Sequence, residues 1–361
     1  MPISSALGSS ALLPSGLGHR NKIINGDMRI AQRGTATITG SSSAQYPVDR
    51  WAVYNGTGTV TFVQSTDAPA GFNASILATV TATGSYSTAG YTQITHKIEG
   101  FNCQDLAYGT ASAKTIVFSF WVKSSVVGTQ NVSFKNSGNN RAYIATYTVD
   151  VANTWEKKII SVVGDTSGTW LVDSSIGLEV TFNLGMGTNY DATAGSWQAL
   201  AARYSTSDAI DFAANSGATW RVTGVQLEQN YQPTPFEQRP IGVELALCQR
   251  YYYSSYSNGV AINGADVISG HHQAIGVDTT SAVMSNGTFA VPMRATPTFN
   301  IYQPRGSVGS GSIRNHSNGG GDITGVSIIG VGNRGLGYIG KSGAIVLGSF
   351  YGMEMTADAE L

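Results

Sequence analysis

Three prolines divide this chain more firmly than any other feature of its sequence. Ahead of them, residues 220–227 alternate apolar and polar side chains as a half-buried strand does, and Gly224 interrupts the alternation as at a β-bulge. Proline has no N–H for a sheet and holds the preceding residue extended, so Pro233 and Pro235 predict an ordered, non-helical strap over residues 232–239. Pro240 suits the first turn of a helix. The segment therefore predicts a boundary between two structural units.

A short helix is predicted directly after the strap, over residues 242–252. Apolar residues recur there at helical spacing, and a second apolar stripe lies beside the first. A helix that is apolar over most of its circumference is typical of a position between domains or subunits. We therefore expect a domain or subunit interface formed by Ile241, Leu245, Cys248 and Tyr252.

The region before the strap has the pattern of a β-sandwich. Nine runs of strand length are rich in β-branched and aromatic residues and are bounded by turn formers. They cover residues 58–64, 75–81, 93–98, 115–123, 130–135, 141–149, 156–163, 178–184 and 220–227. In the clearest run, Phe118, Phe120 and Val122 are expected to face the core. Most aromatics in these runs, including Trp51 and Trp220, are expected in the core as well.

Composition limits the classes of function. A chain of 361 residues exceeds what one core usually supports, so two domains are expected. With 44 glycines and 12% charged residues, short strands are favoured over long helices. A net charge of −1 without basic runs argues against nucleic-acid binding. Cys103 and Cys248 are expected to be buried thiols of a protein assembled in a reducing cytoplasm, and no apolar run is long enough to span a membrane.

The amino-terminal residues 1–20 lack the basic start and unbroken apolar core of a signal peptide. Composition alone leaves two interpretations open. The segment is either a disordered tail or a docking peptide that becomes ordered on a partner.

Several strings resemble segments of one group of proteins. GVQLE, TPFEQRP and ELALCQRYY near the proline strap, together with NKIINGDMRIAQRG and YPVDRW near the amino end, resemble virion-associated proteins of tailed phages, especially tail fibres and receptor-binding proteins. VPMRATPTF is similar to the carboxyl-terminal part of the same group. The resemblance implies a location in the phage virion, assembly in the host cytoplasm, and an amino-terminal peptide that docks on other tail or virion proteins.

The sandwich region also resembles jelly-roll carbohydrate-binding modules, through its FSFWVKS strand, its NGDM opening and its VQLE closing strand. The resemblance implies that the first and last strands lie together and that a structural calcium sits near their ends, with Asp27 and Glu228 at the corresponding positions. The alternative is that Asp27 caps a turn and Glu228 lies at a sheet edge. No other cofactor is expected.

Aromatic residues in loop-like sequence are the candidates for glycan contact, because sugar rings stack on exposed aromatic faces. The selected residues are flanked by small polar residues, as in recognition loops at the ends of a sandwich. They are Tyr86, Tyr91, Trp170, Tyr190, Trp197 and Tyr256. The alternative for each is packing in the core or at a subunit contact.

Beyond Tyr256 the composition shifts towards glycine, with 15 glycines between Gly306 and Gly352. We expect a small β domain completed by neighbouring copies in a homotrimer, since glycine weakens an isolated sheet. The alternative is a monomeric sandwich with glycine-rich loops. VPMRATPTF is expected to form a strand, a corner and a second strand, and the final GMEMTADAEL a mildly helical or solvated tail.

Catalytic motifs are lacking in the sequence. His271 and His272 are adjacent and would point to opposite faces of a strand, so one metal ion could not easily take both. Carboxylate pairs for glycoside cleavage come from distant positions. The acidic residues available for such a pair are Asp105, Asp165, Asp173, Glu179, Asp191 and Asp208. They are more simply explained as turn formers and solubilising groups.

The sequence thus predicts an all-β chain without catalysis. The expected units are a docking peptide over residues 1–20, a jelly-roll sandwich over 21–231, a strap and linking helix over 232–256, and a glycine-rich β domain over 257–361. The leading hypothesis is a homotrimeric tail fibre or receptor-binding protein that attaches to a host surface glycan or protein, without nucleic acid or membrane insertion. A capsid-decoration or tail-collar subunit that binds only virion proteins is the second hypothesis, and a glycan hydrolase the third.

Overall fold

The computed structural model describes residues 20–199, 201–260, 272–284, 287–304, 311–317, 321–341 and 344–361. The expected docking peptide lies almost entirely outside these residues, and so does His271. Within the described residues the chain is nearly all β, which confirms the predicted fold class. No helix among them is long and apolar enough to cross a membrane.

Between residues 20 and 229, leaving out residue 200, thirteen strands build the first part of the chain. In chain order they are β1 Ile38–Thr39, β2 Gln45–Val48, β3 Trp51–Asn55, β4 Thr59–Ser65, β5 Ser75–Ala82, β6 Tyr91–Glu99, β7 Ile116–Ser124, β8 Gly128–Lys135, β9 Ala142–Val149, β10 Glu156–Val162, β11 Ile176–Met186, β12 Trp197–Gln198 and β13 Thr219–Gln229. Single 3-10 turns lie at Gly100–Asn102, Gln104–Leu106, Thr188–Tyr190 and Phe212–Ala214.

These strands form two antiparallel sheets that pack as a jelly-roll sandwich. One sheet has the order β1-β4-β5-β13-β7-β10 and the other the order β12-β9-β8-β11-β6-β3-β2. Rings from both sheets meet in the core, where the Phe182 centroid lies 5.0 Å from that of Phe120 and 5.5 Å from that of Trp220. All nine predicted strands are present within two residues of their expected ends, and Phe118, Phe120 and Val122 face the core as predicted.

The last strand of the sandwich confirms two details of the sequence prediction. The register of β13 against β7 shifts between Thr223 and Gln226, and Gly224 there adopts a φ of +61°, so the bulge is present. The amino-terminal segment runs beside the same strand, because Lys22 N donates to Leu227 O at 2.8 Å and Val225 N donates to Gly26 O at 2.9 Å. The opening and closing segments of the sandwich therefore lie together.

The proline strap is ordered by side chains of β13. Glu228 accepts a hydrogen bond from Thr234 N at 2.8 Å, and Gln226 accepts one from Glu237 N at 2.8 Å. Phe236 packs edge-on against Phe72, with their ring centroids 5.1 Å apart. The strap therefore packs along the sandwich and ends where the following helix begins.

The linking helix α1 spans Ile241–Gln249, so it is shorter than predicted. Its buried residues are Glu244 and Cys248, while Ile241 is 52% exposed. Cys248 packs with Ile24, Ile30 and Tyr251, and Leu245 and Leu361 border this cluster. Of the expected interface residues, Cys248 is buried, Leu245 borders its cluster and Ile241 is exposed in the single chain, while Tyr252 lies beyond the helix at the start of the strand Tyr252–Ser254. The Glu244 carboxylate completes the buried face of the helix.

In the second part of the chain, the described residues form nine strands. They are β14 Tyr252–Ser254, β15 His272–Gly276, β16 Ser281–Met284, β17 Thr298–Tyr302, β18 Ser312–Asn315, β19 Asp322–Thr324, β20 Ser327–Ile329, β21 Tyr338–Gly340 and β22 Phe350–Asp358. They follow the order β19-β18-β22-β15-β16-β21-β20, and β14 and β17 also pair with β22. Their core is separate from that of the sandwich.

The carboxyl-terminal strand β22 overturns one prediction. The stretch expected to be a helical or solvated tail is the central strand of this unit, paired along its length with four other strands. Met353, Met355 and Ala357 are buried at every second position. The two polar residues between them, Glu354 and Thr356, are buried as well and concealed this strand signal in the sequence.

The string VPMRATPTF also differs from its prediction. Only Thr298–Tyr302 forms a strand, and residues 291–297 form bends that contain no first strand. Met293 is fully buried in this bend, and its backbone N–H donates to Asn333 O at 2.7 Å. Two prolines keep the backbone off a ladder, so the segment serves as a packed corner.

Buried and partly buried arginines connect the sandwich to the second unit. We call this cluster the arginine junction; its members are Arg33, Arg50, Glu99, Arg250, Tyr251, Tyr252, Arg294, Asp358 and Glu360. From the sandwich side, the Arg33 guanidinium lies 3.5 Å from the Tyr252 ring centroid and 3.1 Å from the Asp358 carboxylate. Arg50 stacks at 3.5 Å on Tyr251 and pairs with Glu360. Such stacking suits guanidinium, which is weakly hydrated and planar.

The return contacts of the junction begin in the second unit. Arg250 makes a two-point contact with buried Glu99 at 2.5 and 2.8 Å, and the Tyr251 hydroxyl donates to the same carboxylate at 2.7 Å. Arg294 donates to Ser174 O of the sandwich at 2.9 Å and to Glu360 O at 3.0 Å. The two units are thus joined by charge-assisted bonds in both directions.

We predict that Glu99→Gln lowers the free energy of unfolding by about 3 kcal/mol, because a buried ion pair that loses one partner leaves the other uncompensated. Asp105→Asn is the matched control, since Asp105 is exposed and pairs with Lys22 at 2.7 Å. We expect the control to cost less than about 1 kcal/mol. Urea unfolding of both variants measures the difference, and equal costs would show that the junction is not buried.

A second prediction concerns His96, whose ring is fully buried against Trp51. Burial, assisted by Arg50, holds its pKa well below 6.5. Between that lowered value and about 6.5 the unfolded chain binds a proton that the folded chain does not, so stability is complete above about pH 6.5 and falls with decreasing pH by up to about 1.4 kcal/mol per pH unit. Urea unfolding between about pH 5 and pH 7 should show this slope, and His96→Phe should reduce it. An unchanged slope in the variant would contradict the assignment.

Candidate glycan-binding site

The outer face of the seven-stranded sheet is polar. Alternation along the strands sends the apolar side chains to the core and leaves a row across β3, β6, β11 and β8 on the outside. Register pairs Tyr54 with Gln93, Gln93 with Asn183, and Asn183 with Asn131. Hydroxyl and amide side chains of this kind can donate and accept hydrogen bonds at once.

The segment between β11 and β13 folds back over part of this face. Asn131 Oδ1 accepts hydrogen bonds from Ser205 Oγ and Thr206 N, both at 3.0 Å. Lys135 pairs with Glu179 at 3.0 Å and donates to the Tyr204 hydroxyl. These bonds fix the position of the loop that carries Tyr190 and Tyr204.

Four tyrosines surround the part of the face that the loop leaves open. We call this feature the tyrosine cleft; it has a volume of about 160 Å³ and is lined by Tyr54, Tyr91, Gln93, Met186, Tyr190 and Tyr204. The Tyr190 ring meets Tyr91 edge-on at 6.3 Å and Tyr204 at 5.8 Å. The four tyrosines are each partly exposed to solvent.

A shallow acidic depression lies next to the cleft, on the same loop. Its volume is about 560 Å³ and its lining includes Thr146, Asp191, Thr206 and Asp208. Burial raises the pKa of Asp191, Asp208 raises it further, and Arg203 opposes both effects. Carboxylates in such a position can accept hydrogen bonds from the hydroxyls of a bound molecule.

A second aromatic group lies at another edge of the sandwich. Trp170 meets Trp197 edge-on at 5.3 Å and Tyr108 at 4.9 Å. Trp170 and Tyr108 line an apolar pocket of about 360 Å³, which we call the tryptophan pocket. The indole N–H groups of Trp170 and Trp197 donate to the carbonyls of Ser167 and Val163. The rings therefore serve largely to close the end of the core.

The structure divides the predicted glycan residues into three sets. It brings Tyr91 and Tyr190 together in the tyrosine cleft, and Trp170 and Trp197 together beside the tryptophan pocket. Tyr86 and Tyr256 are buried and cannot present a ring face to a sugar, which corrects their selection. Tyr86 was misread because its polar flanks resemble a loop, although its hydroxyl bonds to Thr92 at 2.7 Å inside the sandwich.

Four residues of the tyrosine cleft were not selected from the sequence: Tyr54, Gln93, Met186 and Tyr204. Only aromatic residues in loop-like sequence were considered for glycan contact, so the strand residues Tyr54, Gln93 and Met186 were passed over. Tyr204 lies in a loop but follows Arg203, so it lacked the small polar flanks on both sides that had selected Tyr190. Cross-strand pairing, which the sequence does not reveal, places Tyr54 beside Gln93.

The proposed calcium ligands already hold cations of the protein. Asp27 pairs with Arg29, and Glu228 lies 3.2 Å from Arg20 and accepts hydrogen bonds from Thr234. Burial raises the pKa of Asp27, while Arg29 lowers it. Within the described part of the chain, no three acidic, histidine or cysteine side chains group as a metal site would require. The geometry of these two residues is that of arginine partners.

Comparison with known proteins gives the following results. No protein-family model and no curated protein matches the chain. The enzymatically active domain of bacteriophage CBA120 tailspike protein 4 aligns over 58% of this chain and 22% of its own, with 13% identity and a TM-score of 0.33. This chain therefore spans about a fifth of that protein.

Two carbohydrate-binding modules align over nearly their whole length. The family 11 module from Clostridium thermocellum, in complex with a β-1,3-1,4-mixed-linked tetrasaccharide, covers 55% of this chain and 99% of its own, with 15% identity and a TM-score of 0.30. TmCBM61, in complex with β-1,4-galactotriose, covers 59% and 100%, with 10% identity and a TM-score of 0.30. At these TM-scores the alignments identify no family, and the fold assignment rests on this chain's own strand pairing.

Proposed function

We propose that this chain is a non-catalytic attachment protein of a tailed-phage particle, a tail fibre or related receptor-binding component, and that it binds a host surface glycan in the tyrosine cleft. The observation that carries the proposal is a set of partly exposed tyrosines around a polar floor, beside two accessible carboxylates. The strings that resemble phage virion proteins support a location of this chain in the phage particle.

The tyrosine cleft offers the two kinds of contact that a sugar needs. The C–H groups of a pyranose face can lie on the ring of Tyr190 or Tyr91, whose faces carry negative charge density. Hydroxyls at the edge of the sugar can bond to Gln93, to tyrosine hydroxyls and to Asp191. A protein ligand could offer the same chemistry only through a chain end or loop small enough for about 160 Å³.

Size sets the expected affinity of one cleft. A sugar ring has roughly 12 heavy atoms, and at about −0.3 kcal/mol per atom it binds with about −4 kcal/mol, a Kd of about 1 mM. Attachment of a particle therefore requires several clefts that act together. Three copies on one rigid body raise the effective concentration enough to exceed single-site affinity by orders of magnitude.

Binding without cleavage is the simpler chemical interpretation of the acidic residues. Asp105 pairs with Lys22, Asp165 with Arg141 and Glu179 with Lys135, each at 3.0 Å or less. Asp173 accepts a hydrogen bond from Ser175 N at 2.8 Å. Asp191 and Asp208 are the two candidates that face one open depression together.

We predict that Tyr190→Ala and Tyr91→Ala each weaken glycan binding about ten-fold or more, because loss of one stacking ring costs at least about 1.4 kcal/mol. The probe is an array of bacterial surface polysaccharides and oligosaccharides. Tyr231→Ala is the matched control, since Tyr231 is 79% exposed just before the strap, outside the tyrosine cleft, and its loss should leave binding unchanged. Full binding by both cleft variants, or no binding by the native chain, would refute the assignment.

The absence of catalysis is tested on the polysaccharide that the array identifies. We expect no new reducing ends after prolonged incubation with the native chain. Release of reducing ends that Asp191→Asn abolishes would establish the hydrolase hypothesis instead.

Position in the particle separates attachment from a purely structural role. Immunogold labelling of this chain at the tail tip or fibres is the expected result, whereas label over the capsid or collar would favour the decoration or collar subunit. Deletion of residues 1–20 should leave the isolated protein folded but keep it out of particles.

A further inference from the structure

An apolar stripe crosses one face of the second unit. Five large side chains stand in direct cross-strand register on five adjacent strands, β22, β15, β16, β21 and β20. Ile275 pairs with Phe350 on one side and with Val283 on the other; Tyr338 pairs with Val283 and with Ile329. Each of the five is between 38% and 54% exposed. We call this row the apolar stripe.

The opposite face of the same strands is already the core of the unit. Ala282 pairs with Ile339 and Ile339 with Ile328, and these residues pack within the cluster that also holds Met353 and Tyr351. The strands that carry the stripe are therefore apolar on both faces. A sheet of this kind is stable in water when both faces are covered.

The size of the apolar stripe matches an interface. Its five side chains expose on the order of 500 Å² of apolar surface, near the upper limit for the largest patch of an ordinary monomer. A standard interface buries about 800 Å² per partner, of which about 56–65% is apolar, so the stripe supplies roughly the apolar part of one such interface.

Residues beside the stripe leave room for another backbone. A shallow groove of about 510 Å³ runs along Ile329 and Tyr338 and is bordered by Ser281, Ser327 and Gly340. Gly340 pairs with both Ser281 and Ser327, so the neighbouring row of the sheet consists of small side chains. Small residues permit close approach of a second sheet or loop.

We propose that the apolar stripe is the surface through which copies of this chain associate. A stripe without charges offers nothing to steer a charged partner, whereas equivalent apolar stripes placed around a three-fold axis can cover one another. The inference rests on the proposed function in that it supplies the several copies that weak clefts require. It accords with the homotrimer expected from the sequence, and it is tested without any glycan.

The experiment compares molar masses by light scattering at about 10 μM and at dilutions below that. The native chain is expected at three times its 37.8 kDa mass. Ile275→Lys should shift the mass to that of one chain, or raise the dissociation midpoint about 100-fold or more, because a lysine in the stripe would be buried without a partner. Ile159→Lys is the matched control: Ile159 is 53% exposed on β10 of the sandwich, and its replacement should leave the mass unchanged.

Circular dichroism of the Ile275→Lys variant shows whether it is still folded. Because Ile275 is exposed, its replacement should leave the strand content unchanged. A native chain that remains at 37.8 kDa would overturn the proposal, because the stripe would then be covered by this chain's own remaining residues or by another protein. An Ile275→Lys variant with the native mass would overturn it equally. Glycan binding by the cleft variants has no part in either outcome, so the two proposals can fail separately.

Discussion

Charge-assisted bonds at the arginine junction hold the two halves of this protein in one arrangement. Four arginines reach carboxylates or carbonyls across the boundary, and two of them stack on tyrosines that begin the second unit. A buried guanidinium is costly unless all its neighbours are in place, so the junction favours a single relative position of sandwich and second unit. The strings near the amino end, after the strap and around Arg294 lie far apart in sequence and meet at this junction. A packing constraint of this kind explains why they occur together in one chain.

A rigid junction fixes the position of the tyrosine cleft relative to the apolar stripe. The tyrosine cleft lies on the sandwich and the apolar stripe on the second unit, so in the proposed assembly a fixed junction would hold the clefts in one symmetric arrangement. Millimolar contacts add effectively when their spacing does not vary, because each further contact costs little additional entropy. The pairing of the acidic residues agrees with the proposed attachment function, since the candidates other than Asp191 and Asp208 bond to partners within this chain.

Sequence patterns predicted the sandwich well and the second unit poorly. Runs of β-branched and aromatic residues located nine strands, because both sheets of the sandwich have one buried face and therefore alternate visibly. In the second unit most strands are short, and β22 carries Glu354 and Thr356 inside the fold, so polarity concealed a central strand. The two buried tyrosines selected for glycan contact, Tyr86 and Tyr256, failed for a related reason. Small polar neighbours indicate a turn, but they do not show whether the ring at that turn points inward.

The sequence by itself determined the all-β class, the bulge at Gly224, the strap and the presence of a helix after it, because each follows from local backbone preferences and from short-period alternation. It also determined that aromatic residues would be available in loops of the sandwich. Only the tertiary structure decided which of them share a site: Tyr91 and Tyr190 are 99 residues apart, and β-pairing with loop closure brings their rings within 6.3 Å. Register likewise aligned Phe350, Ile275, Val283, Tyr338 and Ile329 into one stripe. Long-range pairing depends on the cooperative burial of the whole core, and for that reason no local pattern in the sequence could specify it.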